Sequence, residues 1–131
     1  MVTRLLVLGA NGMLGGSIFR YFSSSHDYVV LGIVRSHEAR KALISQGFTN
    51  TNMIENLLEF SHLENLLEQF KPDYVINCVG IIKQRKDAKS YLSAIQIHSL
   101  FPHQLAALAS KYNSKLVHFS TDCVFDGKSG M

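Results

Sequence analysis

Residues 4–16 read RLLVLGANGMLGG, and the reading of this stretch decides the fold. Arg4-Leu-Leu-Val-Leu8 is a short continuous apolar run without polar alternation, the pattern of a strand covered on both faces. Gly9, Gly12 and Gly15 follow in a GxxGxxG spacing, between that run and a stretch of helical periodicity. In this context Gly9 suits a tight turn out of the strand, Gly12 a close approach of backbone to a ligand, and Gly15 close packing of the helix on the sheet. The unpaired N–H groups of the first helical turn attract an anion, and a pyrophosphate fits there. The candidate phosphate-binding set is therefore the loop itself: Gly9, Asn11, Gly12, Met13, Leu14 and Gly15. A strand-to-helix turn that binds nothing is the alternative for the same pattern.

Outward from the loop, apolar runs and helical stripes alternate, which is the α/β signature. Leu14, Ile18, Tyr21 and Phe22 share one face of a first helix that ends in Ser23-Ser24-Ser25. Tyr28 to Val34 reads as a second strand and His37 to Gln46 as a second helix, terminated by Gly47 at its C-cap. The next segment allows two readings, a short third strand at Met53-Ile54 or a helix that begins by Asn56 to Phe60. Ser61-His62-Leu63-Glu64 matches a capping box, with Leu63, Leu66, Leu67 and Phe70 as the buried stripe and Pro72 as the stop. Tyr74 to Val79 is a fourth strand, Ile81 to Ser90 a loop, and Tyr91 to Tyr112 a long helix that Pro102 either kinks or divides. Leu116 to Phe119 is a further strand. The expectation is one α/β domain over 1–131, a Rossmann-type doubly wound parallel sheet of about five strands, one fewer than the complete dinucleotide-binding order. It is expected to be incomplete at the C-terminus and to self-associate through its exposed last edge.

Composition agrees with a globular domain: 131 residues, 47% hydrophobic and 18% charged, with a formal net charge of +3. The cluster Lys83, Arg85, Lys86 and Lys89 reads as solvated surface, so no nucleic-acid partner is expected. Cys78 and Cys123 lack CxxC spacing, which argues against zinc and for reduced thiols; no metal is expected. With no apolar run of membrane-spanning length and no signal-peptide pattern, no membrane association and a cytoplasmic location are expected.

Ligands of such sheets bind outside the carboxyl ends of the strands. At the end of the second strand an NAD site wants a carboxylate, but the chain reads Val34-Arg35-Ser36. A guanidinium and a hydroxyl favour a ribose 2′-phosphate, so NADP is preferred, with NAD possible; alternatively Arg35 begins a surface helix. Cys78, Val79 and Gly80 end the fourth strand and leave room for the cofactor, while Ser120 and Thr121 end the fifth, where a hydroxyl can polarise a substrate carbonyl or simply cap the strand.

GANGMLG, PDYVINCVGIIKQ, SLFPHQLAALA and HFSTDCVFDG together resemble the extended short-chain dehydrogenase/reductases, specifically their dTDP-4-dehydrorhamnose reductase-like branch, along nearly the whole chain. The resemblance implies NAD(P)H-dependent reduction of a 4-keto nucleotide sugar in cell-surface polysaccharide synthesis. It makes Gly9, Gly12 and Gly15 the phosphate loop, Cys78 to Gly80 the wall near the nicotinamide ribose, and Thr121 the catalytic hydroxyl. Three departures stand out. His98 replaces the branch's asparagine, and Asn56 falls where the branch tends to have aspartate near the adenine. The branch's Tyr-x-x-x-Lys is missing, because none of Tyr21, Tyr28, Tyr74, Tyr91 and Tyr112 precedes a lysine by four positions. The chain is thus expected to be the N-terminal part of a longer reductase, to bind dinucleotide, and to be inactive alone. A non-catalytic dinucleotide-binding sensor or interaction module is the alternative.

Overall fold

The computed structural model describes residues 2–80, 92 and 95–119. Five parallel strands form one sheet: β1 (Thr3–Leu8), β2 (Tyr28–Val34), β3 (Thr51–Met53), β4 (Tyr74–Asn77) and β5 (Lys115–His118), in the order β3-β2-β1-β4-β5. The helices between them are α1 (Met13–Ser23), α2 (His37–Ser45), α3 (Phe60–Phe70) and α4 (Phe101–Lys111), the last preceded by a π-helical segment, Gln96–Leu100. Alternate residues of the central strand feed two cores. Leu6 and Leu8 join Leu63 and Leu67 of α3 and Phe101 and Leu105 of α4. Leu5 and Val7 join Phe19 of α1 and Leu43 of α2. A strand buried on both sides has no room for polar alternation, which is why the uninterrupted apolar run was the decisive signal. Among the described residues no helix is long and apolar enough to cross a membrane.

The structure decides several open points. The third strand exists, but as Thr51–Met53, and Ile54 continues its pairing by donating its N–H to the Val34 carbonyl at 2.9 Å. α2 closes as expected: Gly47 has φ +93°, its N–H donates to the Ile44 carbonyl, and the Phe48 N–H reaches back to Leu43. These two bonds are the Schellman pattern. Pro102 falls in the first turn of α4, directly after the π-helical turn, and the backbone stays helical through Leu100 and Phe101. The Ile81 to Ser90 loop lies outside the described residues.

Four expectations are corrected. α1 does not bury Leu14 and Tyr21, which are 45% and 74% exposed; it turns Gly15, Gly16 and Phe19 to the sheet. At Gly15 the helix lies too close to the Gly9 carbonyl for a side chain, while Phe19, one turn further on, has room to pack into the core. The capping box does not form either. α3 starts at Phe60, one residue before Ser61, with Glu59 at the N-cap and no side-chain cap. Phe60 stacks on Phe101 at 5.8 Å between ring centroids, and that contact carries the helix start forward. Glu64, freed of a capping role, accepts from Lys111 Nζ at 2.6 Å and Tyr112 Oη at 2.7 Å, which ties α3 to the end of α4. The carboxyl is held below the usual carboxylate range by those two donors. β4 ends at Asn77 rather than Val79, because the Asn77 amide oxygen takes the Val79 N–H at 3.1 Å and turns the chain out of the ladder. β5 runs one residue earlier than expected, with Lys115 opposite Tyr74.

Candidate functional site

The carboxyl ends of β1, β2 and β4 open onto a cleft of about 560 Å³. From the candidate set it is lined by Gly9, Asn11, Gly12, Arg35, Ser36, Cys78, Val79 and Gly80, and beyond that set by Ile33, Val34, Glu55 and Leu57. Residues from the four turns that follow β1, β2, β3 and β4 therefore meet at one place, as the strand-end rule requires.

The glycine loop is locked from below by the Gly9 and Ala10 N–H groups, both donating to the Ile33 carbonyl at 3.0 Å. Gly9 has φ +79°, and a Cβ there would stand 3.1 Å from the Cys78 carbonyl oxygen. Gly15 is tighter still. Its Cβ would lie 2.0 Å from the Gly9 carbonyl oxygen. Gly12, by contrast, has only ordinary contact at 3.6 Å, so its small size leaves open space on the cleft side and is not demanded by packing. Gly12 is also the N-cap of α1, which has no side-chain cap and no acidic residue in its first turn. An uncapped helix end with nothing to neutralise its partial positive charge is suited to an anion. Met13 is 94% exposed, and neither it nor Leu14 lines the cleft. Gly15 is buried behind the loop and acts through packing.

Arg35 is exposed on the cleft rim. Ser36 already has a structural task, since its Oγ accepts the Ala39 N–H at 3.2 Å as the N-cap of α2. The hydroxyl hydrogen can still be donated, so capping and ligand binding do not conflict. The carboxylate the sequence reading passed over is Glu55. It lines the cleft beside Leu57, whereas Asn56 between them is exposed and its side-chain oxygen accepts the Leu58 N–H at 3.1 Å. The one-residue displacement was within reach of the sequence, but without the β3 boundary nothing distinguished 55 from 56.

Cys78 sits in the cleft wall next to the Gly15 packing point, and burial pushes its thiol up to about 11. It is a neutral packing group at physiological pH, not a nucleophile. His98, on the π-helical segment, does not line the cleft, but its Cε1 lies 3.3 Å from where a Cβ on Gly80 would stand. Ser120 and Thr121 lie outside the described residues, as does the lysine and arginine cluster.

A β3-β2-β1-β4-β5 sheet with a glycine loop between β1 and an uncapped α1 defines a Rossmann domain of the dinucleotide-binding type. The RmlD substrate binding domain family matches residues 3–131, and the chain belongs to it, within the dTDP-4-dehydrorhamnose reductase-like branch of the extended short-chain dehydrogenase/reductases that its motifs resemble. A dTDP-4-dehydrorhamnose reductase of Aggregatibacter actinomycetemcomitans is 32% identical over 98% of the chain, which spans 38% of that relative's length. The methionine adenosyltransferase 2 subunit beta of Xenopus laevis is 26% identical over 96% of the chain, covering 34% of that protein. Among solved structures, the Bordetella bronchiseptica enzyme WbmG in complex with NAD superposes with a TM-score of 0.73 at 21% identity, over 93% of this chain and 38% of that one.

Proposed function

We propose that this chain is the cofactor-binding portion of an NADP-preferring reductase acting on a 4-keto nucleotide sugar, in the cytoplasm and in the service of surface-polysaccharide synthesis. The observation that carries the reading is the cleft itself: a glycine loop at an uncapped helix end, with Arg35 and Ser36 on the rim where a 2′-phosphate would lie. The loop and the α1 N-terminus hold the pyrophosphate, and Cys78, Val79 and Gly80 form the wall for the nicotinamide half. The bound cofactor supplies the hydride. Thr121 donates a hydrogen bond to the substrate carbonyl oxygen and so stabilises the negative charge that develops there. The proton that completes the alcohol needs a donor, and no tyrosine of this chain has the lysine spacing that would lower its pKa. Turnover is therefore assigned to a longer polypeptide and dinucleotide binding to this one.

The test is a pair of titrations, NADPH and NADH, against wild type and Arg35→Asp. Loss of a charged hydrogen bond, about 1.5–3 kcal/mol, is expected for NADPH, with little change for NADH. Equal losses for the two would remove the NADP preference.

The subunit-beta relatives favour a second reading, a dinucleotide-binding partner without turnover. Reduction of a 4-keto sugar nucleotide by the longer polypeptide, abolished by Thr121→Val, would exclude it.

Self-association is part of the proposal. Among the described residues β5 is an edge strand, with Val117 in it 39% and Phe119 just after it 42% exposed. Unpaired edge groups next to apolar side chains are a template for pairing with a second copy. Light scattering over a dilution series should show a mass that rises with concentration, reduced by Val117→Lys. A constant monomer mass would reject it.

A further inference from the structure

Asn77 is fully buried at the end of β4, and both ends of its amide are engaged. Its oxygen accepts the Val79 N–H at 3.1 Å, and its nitrogen lies 3.0 Å from His118 Nδ1 on β5. A backbone N–H can only donate, so the oxygen must face Val79 and the NH₂ must face His118. His118 Nδ1 is thereby left to accept, and the ring proton belongs on Nε2. The chain of bonds runs from the edge strand through β4 into the wall of the cleft.

We propose that Asn77 and His118 are a positioning pair for the Cys78–Gly80 wall: the neutral His118 ring orients the Asn77 amide, and that amide fixes the Val79 N–H and the path of the wall beside the nicotinamide half of the cofactor. Three observations support this assignment, which rests on the dinucleotide reading above. The Asn77–Val79 bond is what takes the chain out of the β4 ladder and into the cleft lining. The same wall is pressed from the other side by the glycine loop, where the Cys78 carbonyl oxygen stands 3.1 Å from a Cβ placed on Gly9. Burial, with a contribution from nearby His98, holds His118 below the usual histidine range, which favours the neutral ring the geometry needs. Neither residue need touch the ligand for this role.

The experiment compares NADPH with adenosine 2′,5′-bisphosphate, which lacks the nicotinamide half, on wild type, His118→Ala and His118→Asn, and records the ring ¹⁵N spectrum of wild type. His118→Ala should weaken NADPH by about two- to tenfold, the range for one lost hydrogen bond, and leave adenosine 2′,5′-bisphosphate unchanged. His118→Asn places an acceptor near the position of Nδ1 and should restore most of the loss. The wild-type spectrum should show the proton on Nε2. Equal losses for both ligands, no rescue by asparagine, or a proton on Nδ1 would each overturn the positioning role while leaving the dinucleotide reading intact. Wild-type protein that binds neither ligand would overturn both.

Discussion

Gly15→Ala is expected to lower the melting temperature by about 10 °C or more and to abolish dinucleotide binding. The added methyl carbon would stand 2.0 Å from the Gly9 carbonyl oxygen, 2.8 Å from its carbon and 3.1 Å from Cys78 Cβ. Two of these three are backbone atoms of a turn pinned to the Ile33 carbonyl, so no rotamer change can relieve the contact. α1 must move away from the sheet. That disturbs the packing of Phe19, which is 1% exposed, and pulls the helix end out of the cleft. Ordinary overpacking costs about 1–3 kcal/mol, and a clash against backbone belongs at or above the top of that range, a large share of a typical domain's stability. With about 3–5 °C of melting temperature per kcal/mol for a chain of this size, the shift follows. Gly12→Ala is the control, since its nearest contact is 3.6 Å. It should melt within a few degrees of wild type yet bind dinucleotide less tightly, because the methyl group would occupy the approach to the pyrophosphate. Circular dichroism melts and NADPH titration on both variants check this, and a Gly15→Ala protein that melts with wild type would refute it.

Phe101→Ala should cost about 3–5 kcal/mol, the loss for truncating a fully enclosed aromatic. Phe101 is 0% exposed, stacks on Phe60, and shares a core with Leu63, Leu67 and Leu105. It begins α4 immediately after the π-helical segment that carries His98, so the same ring anchors the segment behind Gly80. Urea denaturation should give a lower midpoint with an unchanged slope. Tyr21→Ala, at a residue 74% exposed, should change stability by less than about 1 kcal/mol. A Phe101→Ala midpoint no lower than that of Tyr21→Ala would mean the core around α4 is looser than its burial indicates.

Much of the site was legible because its parts are local. The glycine loop, Arg35-Ser36 at the end of β2 and Cys78-Val79-Gly80 at the end of β4 each follow from a short run and the rule that ligands sit outside the carboxyl ends of strands. Glu55 was missed because β3, only Thr51–Met53, is too short to carry a periodic signal, and without its end the position of the next turn could not be counted. The face of α1 was misread for a different reason. Apolar periodicity favoured Leu14 and Tyr21, but the proximity of the loop carbonyl selects the face that carries Gly15 in its first turn and Phe19 one turn later.

The sequence by itself determined the order of the strands and helices other than β3, the doubly wound class and the glycine loop, since uninterrupted apolar runs, glycine spacing and the Gly47 stop are properties of neighbouring residues. Tertiary structure alone decided which groups pair across the fold. Glu64 has the local spacing of a cap yet bonds Lys111 and Tyr112, 47 and 48 positions away, and Asn77 meets His118 at a separation of 41. Such pairs form only once the register of β4 on β5 and the packing of α3 on α4 have brought distant segments together, and a single chain read in order carries no periodicity that reports either.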